Sequence, residues 1–152
     1  MRHYLLPLIA ASLIANAAAA DPKASRFYED ALGRYEKNDM AGAIIQLKNA
    51  LKIDDSNLSA HLLLSKALLR HGEVKAAEAA LNQAIGMGIN RTEVATTLAQ
   101  VYLTLGQPDK VIDNVTTSGL PPTTRLEVLT LRGTAFAEMG KNVAASDSFA
   151  EA

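Results

Sequence analysis

Leu64-Ser65-Lys66-Ala67-Leu68-Leu69-Arg70-His71-Gly72-Glu73-Val74-Lys75-Ala76-Ala77-Glu78-Ala79-Ala80-Leu81-Asn82-Gln83-Ala84 reads as two helices joined by one turn, and it decides the fold. Leu64, Ser65 and Leu68 fall on one face of a helix with 3.6-residue periodicity. Gly72 ends that helix by supplying a left-handed backbone conformation that a side chain disfavours. Ala77, Leu81 and Ala84 then mark the inner face of a second helix running back along the first. The small residues let the two backbones approach, and the leucines fill the space beside them.

The same unit recurs. Asn38, Gly72, Gly106 and Gly140 are spaced by 34 residues, and so are Ala43, Ala77, Val111 and Ala145. Leu47, Leu81, Val115 and Phe149 keep that interval, as do the small residues Ala31, Ser65, Ala99 and Gly133. Asn38 is the one substitute among the turn residues, and asparagine tolerates the left-handed region better than other side chains. Four series in one register define a stacked helical array. Composition agrees: 49% of residues are hydrophobic but only 5% aromatic, which suits helices in close contact over alanine.

The pattern resembles the tetratricopeptide repeat (TPR), which implies an all-α, right-handed superhelical solenoid of helical hairpins. Residues 1–20 stand apart from it, and residues 21–57, 58–91 and 92–125 hold three full repeats. Residues 126–152 hold an incomplete fourth, so the resemblance also suggests the leading part of a longer array. Asp21-Pro22 and Gln107-Pro108 are expected to open helices, with proline in the first turn. Asn90 with Glu93 has capping spacing, and Thr124 with Glu127 has the spacing of a full capping box. In the third repeat, Gly119, Pro121 and Pro122 should end the second helix near Thr117 or Ser118. A short helix and a longer connection are expected there.

Within residues 1–20, Arg2 and His3 precede an apolar stretch from Tyr4 to Ala15, and Ala18-Ala19-Ala20 supplies a small-residue cleavage site. This is the layout of a secretory signal peptide, and it is too short for a spanning helix. Its removal leaves 14 basic and 16 acidic residues, a net charge of −2, and no apolar run long enough to span a membrane. That balance offers no footprint for nucleic acid. With no cysteine, the chain has no disulfide, thiolate metal site, thiol nucleophile or lipidated cysteine.

Catalytic, cofactor and metal chemistry find no foothold in the pattern. His61 and His71 are ten residues apart on one expected helix, about 15 Å along its axis, too far to share a metal or a proton. His61 takes the bulky apolar position of its repeat and His71 lies beside the turn glycine, so packing and capping roles are expected. Asp54-Asp55 falls between repeats and reads as a loop, and Gly86-x-Gly88 reads as a loop without a phosphate-binding motif.

A binding surface remains. The TPR resemblance implies that the first helix of each pair lines a concave face where ligands bind. On this sequence the positions are Tyr28, Leu32, Tyr35 and Glu36, then Leu62, Lys66, Leu69 and Arg70, then Thr96, Gln100, Leu103 and Thr104. Tyr28 and Tyr35 are two turns apart and should share a face, while Lys66 and Arg70 form a basic pair suited to an extended peptide or a helix. The Lys and Asn positions with which chaperone-binding TPR domains clamp a C-terminal carboxylate are not matched here.

Phe27-Tyr28-Glu29-Asp30-Ala31, the run Ala43-Ile44-Ile45-Gln46-Leu47-Lys48-Asn49-Ala50-Leu51-Lys52, Leu98-Ala99-Gln100-Val101-Tyr102-Leu103 and Gly119-Leu120-Pro121-Pro122 resemble a narrower group. So does Val128-Leu129-Thr130-Leu131-Arg132-Gly133. These strings are similar to the N-terminal part of the TPR-repeat proteins of the PEP-CTERM/exosortase system (PrsT-like). That resemblance implies a periplasmic scaffold of a Gram-negative envelope, acting in exopolysaccharide production and protein sorting. Many members are lipoproteins, a trait that a cysteine-free chain does not share. Two other expectations are a non-catalytic front part of a larger envelope enzyme, and a structural subunit that self-associates through its uncapped last helix.

Overall fold

The computed structural model describes residues 21–152, so the signal-peptide expectation for residues 1–20 lies outside the described residues. The described chain is all helical: α1 (Pro22–Glu36), α2 (Met40–Ile53), α3 (Leu58–His71), α4 (Val74–Gly86), α5 (Arg91–Thr104), α6 (Pro108–Asn114), α7 (Pro122–Glu138) and α8 (Asn142–Glu151). Each odd-numbered helix pairs with the even-numbered one that follows it. Each even-numbered helix also packs on the next odd one, and α1, α3, α5 and α7 touch in succession. The result is a solenoid of helical hairpins.

The turns work as their residues dictate. Asn38, Gly72, Gly106 and Gly140 all have positive φ, at 63°, 92°, 68° and 72°. At each turn the next amide reaches back over the helix end, as Glu73 N does to the Leu68 carbonyl at 2.9 Å and Gln107 N to that of Tyr102 at 2.9 Å. Those bonds satisfy carbonyls that the helix leaves open.

Small residues carry the close helix contacts. Ala31, Ser65, Ala99 and Gly133 are buried, and so are Ala43, Ala77, Val111 and Ala145. Leu47 and Leu81 are fully enclosed, and Val115 is buried too. Each buried aliphatic side chain of this size contributes about 1.5–3 kcal/mol by leaving water. Phe149, the fourth of that series, is instead 47% exposed. Its equivalents are each covered by the helix of the following hairpin, and no described helix follows α8.

Three boundaries differ from the sequence reading. Helix α6 stops at Asn114, before Thr117 or Ser118, because Val115 turns extended and Thr116 Oγ1 accepts from Ser118 N at 3.2 Å. A hydroxyl that bonds its local backbone competes with helix continuation. Arg132 Nη1 also donates to the Ile112 carbonyl at 3.1 Å, satisfying one of the last acceptors of the short helix. Thr124 and Glu127 form no capping box, since α7 already begins at Pro122, after Pro121. Glu127 instead accepts from Thr96 Oγ1 at 3.1 Å. Gly86 belongs to α4 and only Gly88 is in the loop. Asp21 and Asn90 do cap: the Asp21 carboxylate accepts from Lys23 N at 2.7 Å, and the Asn90 side chain from Thr92 N at 3.0 Å.

Asp39 caps α2. Its carboxylate accepts from Gly42 N at 2.9 Å and from Arg34 Nη1 at 3.0 Å. The Gly42 amide first, and Arg34 second, hold its pKa below the usual carboxylate value. The stabilisation is therefore complete above the unfolded value of about 3.9 and is lost as pH falls through the lower folded value. Asp39→Asn should make the melting temperature less dependent on pH below about 4, read by circular dichroism. An unchanged acid limb would show that this contact contributes nothing.

Two helical glycines should respond in opposite ways to alanine. A Cβ on Gly33 in α1 would meet no atom within 4 Å, so Gly33→Ala should raise stability by up to about 1 kcal/mol. On Gly133 it would overlap the ring of Phe149, so Gly133→Ala should forfeit that gain and loosen α8 from α7. Thermal melts of the two variants test the contrast.

Candidate binding groove

The odd-numbered helices present one continuous groove. Its middle is a recess of about 630 Å³ walled by Tyr35 of α1, Lys66, Leu69 and Arg70 of α3, Thr92, Glu93, Thr96, Thr97 and Gln100 of α5, and Pro121, Thr124 and Glu127 at the start of α7. A second recess of about 370 Å³ continues toward the N-terminus and shares Tyr35 and Lys66 with the first. A third, about 320 Å³, continues toward α7 and shares Thr96, Gln100 and Glu127. Shared walls make these one surface running across α1, α3, α5 and α7.

Tyr28, Leu32, Tyr35, Glu36, Leu62 and Lys66 surround the N-terminal recess. Leu69, Arg70, Thr96 and Gln100 lie in the central one. Leu103 does not join them: it is half-buried and packs against the core. Its equivalents Tyr35 and Leu69 do line the groove. The difference arises where α6 is only seven residues long and α7 lies directly on α5. Thr104 also lines none of the three recesses; its hydroxyl donates to the Gln100 carbonyl at 2.7 Å.

The basic pair is unequal. Arg70 lies over the Tyr35 ring, 4.7 Å from its centroid, and donates to Asn38 Oδ1 at 2.8 Å. Stacking and a side-chain amide hold its guanidinium in place while leaving its charge uncompensated. Lys66 is half-buried at the junction of the two recesses. Tyr28, Tyr35, Leu62 and Leu69 pack on the core and line the groove together, since only one side of each is covered, whereas Leu32 is exposed.

The matching family model is that of the tetratricopeptide repeat, over residues 34–87. The architecture is a TPR helical-hairpin solenoid. TPR domains mediate contacts between proteins. A curated relative is the Interferon-induced protein with tetratricopeptide repeats 3 of Mus musculus, 32% identical over 94 residues. The match covers 61% of this chain and 23% of that relative, so the chain spans under a quarter of its length.

The groove positions expected from the sequence omit its acidic side, where Glu93 and Glu127 stand. Glu93 and Glu127 occupy the same place in successive repeats, a 34-residue interval that was available as a signal. Thr92, Thr97, Pro121 and Thr124 complete that side, where α7 packs on α5.

His61, His71 and Asp54 have structural partners. His61 is 3% exposed and its Nε2 donates to the Asp55 carbonyl at 2.9 Å, tying α3 to the loop before it. His71 Nδ1 meets Glu73 at 3.0 Å beside the turn. Asp54 accepts from Ser56 N at 3.1 Å and Ser56 Oγ at 2.6 Å, a local turn. On the opposite side of the solenoid, α2, α3 and α4 enclose a mainly apolar recess of about 490 Å³ floored by His61, Leu64 and Leu68.

Proposed function

We propose that this protein is an exported, non-catalytic scaffold that holds peptide segments of other envelope proteins in its groove. The continuous surface across α1, α3, α5 and α7 carries the reading. It combines exposed edges of tyrosine and leucine with threonine, glutamine and fixed charge, the mixture that suits reversible recognition of a segment. Export is supported by the layout of residues 1–20. Among the described residues no helix is long and apolar enough to cross a membrane. A role in exopolysaccharide production and PEP-CTERM protein sorting, in the periplasm, is supported by the resemblance of the Ala43–Lys52 and Leu98–Leu103 strings.

Lys66→Glu with Arg70→Glu is the direct test. Immobilised parent and double variant are offered the same envelope extract, with matched helicity checked by circular dichroism. Captured protein should fall by about tenfold or more, the range of a central interface charge that is reversed. Equal capture by the two would remove the groove from the proposal.

A second surface supports self-association. Phe149 is 47% and Leu126 49% exposed, and an Arg125–Glu151 ion pair brings their helices together at the end of the solenoid. Light scattering of the protein should show a mass that rises with concentration, and Phe149→Asp should abolish the rise. A parent that stays monomeric throughout refutes this contact.

A further inference from the structure

We infer that the segment held in the groove is bipolar, with basic residues toward one end and acidic residues toward the other. The inference rests on the groove being a peptide-capture surface, and it specifies the partner.

Four charges carry it. Lys66 and Arg70 occupy the second half of α3, whereas Glu93 and Glu127 lie in the first two turns of α5 and α7. A helix of opposite direction separates each odd-numbered helix from the next, so the odd-numbered helices share one direction. Opposite signs therefore lie at opposite ends of the recess. In repeat register, Glu93 precedes the level of Lys66 by seven residues, about 10 Å along the axis, and that of Arg70 by eleven, about 16 Å. Neutral Thr96, Thr97 and Gln100 lie in between.

These charges are not spent inside the protein. Among the described residues the ion pairs are Arg34 with Asp30 and Asp39, His71 with Glu73, Lys110 with Glu78 and Arg125 with Glu151. None includes any of the four. Arg70 and Glu127 do have partners, but neutral ones: Tyr35 and Asn38 for the first, Thr96 for the second. Glu36 lines the neighbouring recess with Lys66 without forming an ion pair with it. The helix dipoles at the starts of α5 and α7 offset about half a charge each, which reduces but does not cancel the acidic end.

The arrangement is also particular to this stretch of the array. The positions equivalent to Glu93 are Ser25 and Ser59 in the first two repeats, and those equivalent to Lys66 are Leu32, Gln100 and Thr134. A uniformly charged segment would be attracted at one end and repelled at the other. A segment of opposed ends is attracted at both.

The test is selection from displayed random dodecapeptides on the protein and, in parallel, on its Lys66→Glu/Glu93→Lys variant. Peptides enriched on the parent should segregate acidic and basic residues to opposite ends, and the order should invert on the variant. A synthetic peptide from the parent selection should bind the variant about threefold to tenfold more weakly, as expected for two partly exposed ion pairs. Lys66→Met with Glu93→Gln, which removes charge without reversing it, should abolish the segregation, and it serves where the reversed variant does not fold. Enrichment without charge segregation overturns the bipolar partner and leaves peptide capture standing. No enrichment on the parent overturns both.

Discussion

Among the described residues, successive hairpins cover one another's apolar sides, α2 against α3, α4 against α5 and α6 against α7. Leu47, Leu81 and Val115 sit at one position of three successive units and are buried because a following helix covers them. Phe149 holds the same position and remains 47% exposed where no described helix follows. The same position of the repeat is thus core in three units and surface in the fourth. Stability in such an array is a sum of contacts between adjacent units, with few contacts between distant ones.

That dependence on neighbours requires close approach. Ala43 and Ala77 have no exposed surface, nor does Ser65, whose hydroxyl donates to the Leu62 carbonyl at 2.7 Å and so leaves no unsatisfied group in the contact. Gly133 goes further and admits the Phe149 ring onto the α7 backbone. The larger aliphatic residues then fill the space beside the seam. Size matters more than polarity at these positions, which is why a serine and a glycine stand among alanines.

Stacking also builds the groove. Because each hairpin returns the chain to its starting side, α1, α3, α5 and α7 come to lie together although each is separated from the next by a whole helix. Side chains on their outer face then become neighbours at intervals near 34 residues: Arg70 reaches Asn38, and Thr96 reaches Glu127. Arg70 illustrates the economy of the arrangement. Its stacking on Tyr35 joins the first two repeats while its charge stays available to the groove.

The 34-residue period, the glycine and asparagine turns, the helical hairpins and the enclosed alanine positions are all legible from residue order, because each follows from local geometry or short spacing. Tyr28, Leu32, Tyr35, Lys66 and Arg70 were legible as surface candidates for the same reason, each holding a fixed place within its repeat. The shortness of α6 was half legible: Gly119 and the prolines announced it, but the Thr116 turn and the Arg132 contact with Ile112 set where it ends. Only the folded chain decided that Glu127 would serve the groove wall instead of capping its own helix, and that Leu103 would pack against the core. Those outcomes depend on how far α7 moves in against α5, a distance between helices that periodicity does not encode.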